Sequence, residues 1–146
     1  MIKVGILNKS PYPNPEYGKV GNSGMDVKAW ISEPITLGPL ERVLIPTGLY
    51  FEIPEGYEIQ VRPRSGLALK RGLTVLNTPG TVDANYRGEV GVILVNLSNE
   101  PQTIEPGERV AQLVLAKVSL MDFINLEVII KDTERGDQGY GDSGRF

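Results

Sequence analysis

Leu49–Arg62 reads LYFEIPEGYEIQVR, and its alternation settles the class of fold. Leu49, Phe51 and Ile53 interleave with Tyr50 and Glu52, and beyond Pro54-Glu55-Gly56 the pattern resumes with Tyr57, Ile59 and Val61 against Glu58, Gln60 and Arg62. A period of two belongs to strands with one buried face. The same punctuation runs outward from there: 17 glycines and 11 prolines are spread along 146 residues rather than gathered into a linker. Short strands cut by evenly spaced turn signals predict an all-β sandwich or barrel. Met1–Leu7 reads as a first strand, followed by a Pro- and Gly-rich loop that ends at Asp26. Arg109–Val118, RVAQLVLAKV, reads as a strand on its Val and Leu content, after a Glu-Pro-Gly turn at 105–107. The one helix expected is Ser65–Gly72, SGLALKRG, with Ser65 as N-cap and Gly72 as its stop.

Composition narrows the chemistry. The chain is long enough for one domain with its own core. Its net charge of -3 comes with no basic run to track a phosphate backbone, so nucleic acid is not an expected partner. Cysteine and histidine are both absent, which removes disulfides, thiol nucleophiles, Ser-His triads and the common zinc ligands. Catalysis must then rest on carboxylates, Arg, Lys, Ser, Tyr or an oxygen-bound metal. The N-terminal apolar run is too short for a signal peptide, and no 18-residue apolar stretch exists, so a soluble cytoplasmic protein without a membrane partner is expected.

Four stretches carry groups that suit a phosphorylated ligand. Gly80–Glu89, GTVDANYRGE, lies between apolar runs and sets a water-holding carboxylate, Asp83, three residues from a ring, Tyr86, at the expected mouth of a hairpin. By themselves Asp83 and Asn85 read equally as turn formers. Pro63–Gly66, PRSG, puts Arg64 and Ser65 at a helix start where an anion is favoured, although a cap and a solvated arginine explain them as well. Gln112, an amide inside an apolar run, needs partners that a ligand or the core could supply. Beyond Asp132 the composition turns to DTERGDQGYGDSGRF, in which glycines, Arg135, Tyr140 and Arg145 could close over a nucleotide as a lid, or form a plain tail. The apolar run Ile124–Ile130 before it is expected to leave its own subunit and pair elsewhere.

In this order the stretches resemble the five motifs of the homotrimeric dUTP pyrophosphatases, the dUTPase family. Ser23–Val27 (SGMDV) is similar to the first, Pro63–Ala68 (PRSGLA) to the second, Gly80–Glu89 to the third, Gly107–Leu113 (GERVAQL) to the fourth and Arg135–Gly144 (RGDQGYGDSG) to the fifth. The resemblance spans nearly the whole chain. It implies a jelly-roll-type β-barrel of the β-clip kind over residues 1–131, a swapped C-terminal strand, three sites shared between subunits, and a lid over residues 132–146.

The resemblance also implies a reaction, hydrolysis of dUTP to dUMP and pyrophosphate with Mg²⁺ on the triphosphate, which keeps uracil out of DNA and supplies dUMP. Asp83 matches the residue that orients the attacking water, and an aspartate, a weak base at neutral pH, serves there mainly by positioning. Arg64, Ser65, Gly66 and Gln112 match the phosphate path, and Asp26 a carboxylate reaching the metal through water. Asn77, Gly80 and Thr81, read as part of a hairpin, match the groups that take uracil's edge, Tyr86 the ring that refuses a ribose, Tyr140 the ring over the base, and Arg135 a phosphate-binding arginine. Departures are Asn85, where a second aspartate is usual, Gln138 for a glycine, and Asp142, whose charge would repel a γ-phosphate. Two rivals share the fold: a dCTP deaminase, whose catalytic glutamate would fall at Ile93, and a non-catalytic nucleotide-binding module.

Overall fold

Eleven strands and one helix follow one another in the computed structural model, which describes all of residues 1–146. In chain order they are β1 (Gly5–Asn8), β2 (Met25–Lys28), β3 (Ile35–Leu37), β4 (Arg42–Pro46), β5 (Leu49–Glu52), β6 (Tyr57–Arg62), α1 (Ser65–Arg71), β7 (Leu73–Val75), β8 (Gly80–Val82), β9 (Gly91–Asn96), β10 (Gln102–Ile104) and β11 (Arg109–Lys117). They form four antiparallel sheets in the orders β2-β11-β6-β8, β4-β9-β7, β1-β5 and β10-β3. The all-β class with one short helix stands, and Arg109–Lys117 is a strand as read. The hydrogen-bonded sets remain separate and do not close into one ring of strands.

No two consecutive strands share a sheet. β5 pairs with β1, yet β6 pairs with β11 and β8. β7 and β9 lie together, while β8 between them joins β6. This corrects two expectations, because neither Asn77–Thr81 nor Gly80–Glu89 sits on a hairpin. Each connects one sheet to another. Turn residues mark where a strand stops, but pairing is decided by which apolar faces meet across the core. Those faces are Ile59 and Val61 from β6, Val92 and Leu94 from β9, Ala111 and Leu113 from β11, and Val27 from β2, all buried in one cluster.

The first strand begins at Gly5, not Met1. Its partner β5 offers only Leu49–Glu52 in register, and Ile53-Pro54 then turns away, so nothing remains for residues 1–4 to pair with. Helix α1 also starts one residue earlier in its cap than expected. Arg64 is the N-cap, extended at φ -95° and ψ 128°, and Ser65 is the first helical residue with no capping side-chain bond. The cap stays unmade because a guanidinium carries only donors and has no oxygen to accept from the first-turn N–H groups. Gly72 ends the helix as read, at φ 64°, its N–H donating to Ala68 O over 3.1 Å. A Cβ there would lie 2.8 Å from Ser98 N, so both backbone angle and space call for glycine. Arg71 ties the helix end to the β10–β11 turn through the Glu108 carboxylate, Gln102 Oε1 at 3.2 Å and the Thr103 carbonyl.

Buried Asn96 closes β9. Its Nδ2 donates to Leu37 O at 2.9 Å and Glu100 O at 2.7 Å, and its Oδ1 accepts from Ser98 N and Oγ. Beyond β11 the chain leaves the body. Residues 119–146 are exposed and hold neither helix nor strand. Ile124–Ile130 is therefore not a strand within this chain, since a strand needs a neighbour and none of its own sheets offers one.

Candidate active site

The first group of site residues assembles at one end of the four-stranded sheet. β11 brings Gln112 opposite Asp26 of β2 on one side and opposite Arg62 of β6 on the other. Arg64, two residues past the end of β6, therefore reaches back across β11. Its Nε donates to Asp26 Oδ1 at 3.1 Å and its Nη1 to Arg109 O at 3.2 Å. Arg109 sets its own Nη1 3.7 Å from Asp26 Oδ2. Gln112 Nε2 donates to Pro63 O at 3.0 Å, so the suspected amide is satisfied by the segment that carries Arg64. Gly24 makes room for it, since a Cβ there would lie 2.3 Å from Gln112 Oε1. Ser65 and Gly66 are exposed beside this cluster, and open space surrounds Gly66.

A second group lines a recess of about 530 Å³ that includes Asn77, Gly80, Thr81, Asp83 and Tyr86. Gly80 is buried, and a Cβ on it would come 3.1 Å from Val61 and 3.4 Å from the Asn77 amide, so glycine lets that amide lie over β8. Asp83 is exposed at the start of the connection to β9, and its carbonyl accepts from Tyr86 N at 3.1 Å. The Tyr86 hydroxyl donates to Glu89 O at 2.8 Å. Gly88 permits this fold-back, because a Cβ there would meet the Tyr86 hydroxyl at 2.3 Å. Ile93 also lines the recess.

The two groups do not meet in one chain. Val82 pairs with Ile59, so Asp83 lies at the start of β6, whereas Arg64 follows its end. Level with Glu58, Asp83 stands six residues of extended chain from Arg64, roughly 20 Å. The tail residues Arg135 and Tyr140 join neither group. Arg135 Nε donates to Gln138 O at 2.8 Å, Tyr140 is fully exposed, and Lys131 Nζ lies 2.7 Å from Asp137. That ammonium holds the Asp137 carboxyl below its ordinary value of 3.8. Arg109, Gly24, Gly88 and Glu89 had no role in the sequence reading. Arg109 and Gly24 become visible only through the register of β11 against β2.

The donor set limits how a metal could be held. No three His, Cys, Asp or Glu side chains come together, and both oxygens of Asp26 already face guanidinium groups. A hard dication that keeps most of its waters fits such a place through water, with phosphate oxygens as its direct ligands.

Comparison with known proteins gives the family. The dUTPase family model matches residues 10–144. The chain is 60% identical over 144 residues to a deoxyuridine 5'-triphosphate nucleotidohydrolase of Bdellovibrio bacteriovorus, covering 99% of this chain and 96% of that protein. It is 56% identical to the protein of the same name from Fusobacterium nucleatum, covering 99% and 98%. Among solved structures, the Staphylococcus bacteriophage 80alpha dUTPase with dUPNHPP superposes with a TM-score of 0.86 at 26% identity, covering 99% of this chain and all of that one. With the motifs in order, matched over their full span by family model and relatives alike, the chain belongs to the dUTPase family.

Proposed function

We propose that the protein hydrolyses dUTP to dUMP and pyrophosphate. The observation that carries this is the match along almost the whole chain, at 56% and 60% identity, to proteins named for that reaction. Water attacks the α-phosphorus, the bond to the bridging oxygen breaks, and pyrophosphate leaves with the electron pair. Asp83, exposed on the recess, accepts a hydrogen bond from that water, turns its lone pair toward phosphorus and takes its proton late in the attack. Arg64, held by Asp26, presents positive charge to the phosphates, with Ser65, Gly66 and Gln112 along the same path. Mg²⁺, when bound, would neutralise triphosphate charge, and Asp26 is the carboxylate that would hold it through water.

Asn77, Gly80 and Thr81 offer an amide and backbone groups to the edge of uracil, and Tyr86 packs beneath the deoxyribose where a 2′-hydroxyl would clash. A base that covers these polar groups and leaves them unpaired is refused more strongly than one that merely adds or lacks a carbon. The separation of Asp83 from Arg64 supports a site shared between subunits, in a homotrimer. The exposed apolar side chains of Ile124–Ile130 support an exchanged strand, and Arg135 and Tyr140 on residues 132–146 support a lid contributed from a further subunit. Ile93, an apolar side chain in the recess, cannot shuttle a proton, which disfavours a deaminase. No helix is long and apolar enough to cross a membrane, and the reading is of a cytoplasmic enzyme that removes dUTP and supplies dUMP. A pyrophosphate-release assay with dUTP, dCTP, dTTP and UTP, with and without Mg²⁺, tests it. Release from dUTP alone, dependent on Mg²⁺, is expected; dUTP left intact overturns the reading.

A further inference from the structure

Tyr86 is 43% exposed, so packing alone does not hold its ring in one place. Its hydroxyl instead donates to the carbonyl of Glu89 at 2.8 Å. That carbonyl is fixed in turn, because the Glu89 side chain accepts from the backbone N–H of Gly48, in the β4–β5 turn, at 2.7 Å. The turn is itself held from several directions. Thr47 Oγ1 donates to Val90 O at 2.6 Å, Val90 N donates to Leu49 O at 2.8 Å, and Lys9 N donates to Gly48 O at 2.8 Å. Gly48 sits at φ +72°, with a would-be Cβ 2.7 Å from the Trp30 ring, so this N–H has one orientation and one acceptor.

We propose that Glu89 is a positioning residue for sugar discrimination, acting through Tyr86: its carboxylate anchors the Asp83–Glu89 connection to Gly48 and so sets the height of the ring beneath the sugar. The inference rests on the reading of Tyr86 as the group that refuses a ribose. A free connection would let the ring drop away and admit a 2′-hydroxyl. The chemistry needs an acceptor oxygen, not a charge. Glu89→Gln, whose amide keeps one, therefore preserves the anchor, and Glu89→Ala removes it.

The test measures kcat and KM for dUTP and UTP, and Kd for dUMP and UMP, in wild type, Glu89→Gln and Glu89→Ala, together with hydrogen exchange at the Gly48 amide. In Glu89→Ala the dUTP-over-UTP ratio of kcat/KM and the dUMP-over-UMP affinity ratio are expected to fall by about tenfold or more, with Gly48 exchange faster by a similar factor. Glu89→Gln should stay within about twofold of wild type in all three. A purely structural role would lower turnover of both nucleotides alike and leave the ratios unmoved, which overturns the proposal. Where Glu89→Ala fails to fold, Tyr86→Phe cuts the same chain of contacts at its other end; loss of discrimination supports the anchor, and retained discrimination overturns it. A wild type that hydrolyses dUTP but keeps its preference in Glu89→Ala overturns the anchor alone, whereas a wild type without dUTP turnover overturns the underlying reading and this inference with it.

Discussion

The carboxylate of Asp26 accepts a hydrogen bond from Nε of Arg64 across 3.1 Å, joining β2 to the cap of α1. Both side chains are about a third exposed, at 34% and 31%, so water screens the pair and it contributes no more than about 1 kcal/mol to stability. Its consequence lies in orientation. With Nε on Asp26 and Nη1 on the Arg109 carbonyl, the guanidinium is held in orientation and its Nη2 N–H groups stay available to phosphate. Asp26→Asn weakens that hold, leaves the melting temperature within a few degrees of wild type, and lowers kcat/KM for dUTP by roughly tenfold or more. Thermal unfolding measured beside steady-state kinetics separates the two effects.

Asp83→Asn keeps the size of the side chain and one acceptor oxygen, but loses the negative charge and the basic site that takes the water's proton. Loss of a positioned acid–base group typically costs roughly 10²–10⁴ in rate. The expected outcome is a kcat reduced at least about a hundredfold with Kd for a non-hydrolysable dUTP analogue within a few-fold of wild type. Equal losses in Kd and kcat would assign Asp83 to binding instead.

Much of this arrangement was legible in the residues themselves. Alternation in Leu49–Arg62 announces strands, Gly72 announces the end of α1, and the groups around Asp26, Arg64, Gln112, Asp83 and Tyr86 stand out as polar residues in or beside apolar runs. Pairing was not legible. Pro54-Glu55-Gly56 suits a hairpin, yet β5 and β6 enter different sheets because register depends on faces remote in sequence. Ser65 looked like a cap, but the extended backbone of Arg64 puts the cap one residue earlier, and boundaries of short helices are fixed no better than that by residue type. Glu89 draws no role from the sequence, since its acceptor role depends on Gly48, 41 positions away.

Asn96 makes a stability prediction independent of catalysis. Its side chain is fully buried and serves the carbonyls of Leu37 and Glu100 and both donors of Ser98. Asn96→Ala strands those groups and opens a small cavity, at a cost of about 3 kcal/mol. For a chain of this size that corresponds to a fall in Tm of roughly 10 °C, with KM for dUTP unchanged in the folded fraction. Calorimetry and kinetics below the transition read the two outcomes.

Asp137 titrates below its ordinary value of 3.8, chiefly through its hydrogen bond to Lys131 and further through a backbone bond. A carboxylate depressed in the folded state is favoured there above its unfolded value, and the advantage is lost as pH falls through the folded one. The Lys131–Asp137 pair is therefore intact at neutral pH and opens only in acid, below the ordinary carboxylate range. Both groups are exposed, so salt screens them. In a carboxyl NMR titration Lys131→Gln should raise the Asp137 midpoint toward its ordinary value, as should roughly 1 M salt; an unmoved midpoint would exclude this pair as the cause.

Residues 132–146 contribute nothing to the buried core, and their hydrogen bonds run among themselves and to Lys131. Removing them should leave folding untouched. The apolar side chains that would join subunits, Phe123 through Ile130, all precede the cut and are retained. A chain ending at Lys131 is thus expected to have the oligomeric mass and melting temperature of the full chain while losing Arg135 and Tyr140, and turnover should fall by about a hundredfold or more as the water-excluding cover is lost. Light scattering and pyrophosphate release on the same preparation decide it, because full activity in the truncated chain rules out a lid, and a change in mass moves the assembly contacts into the tail.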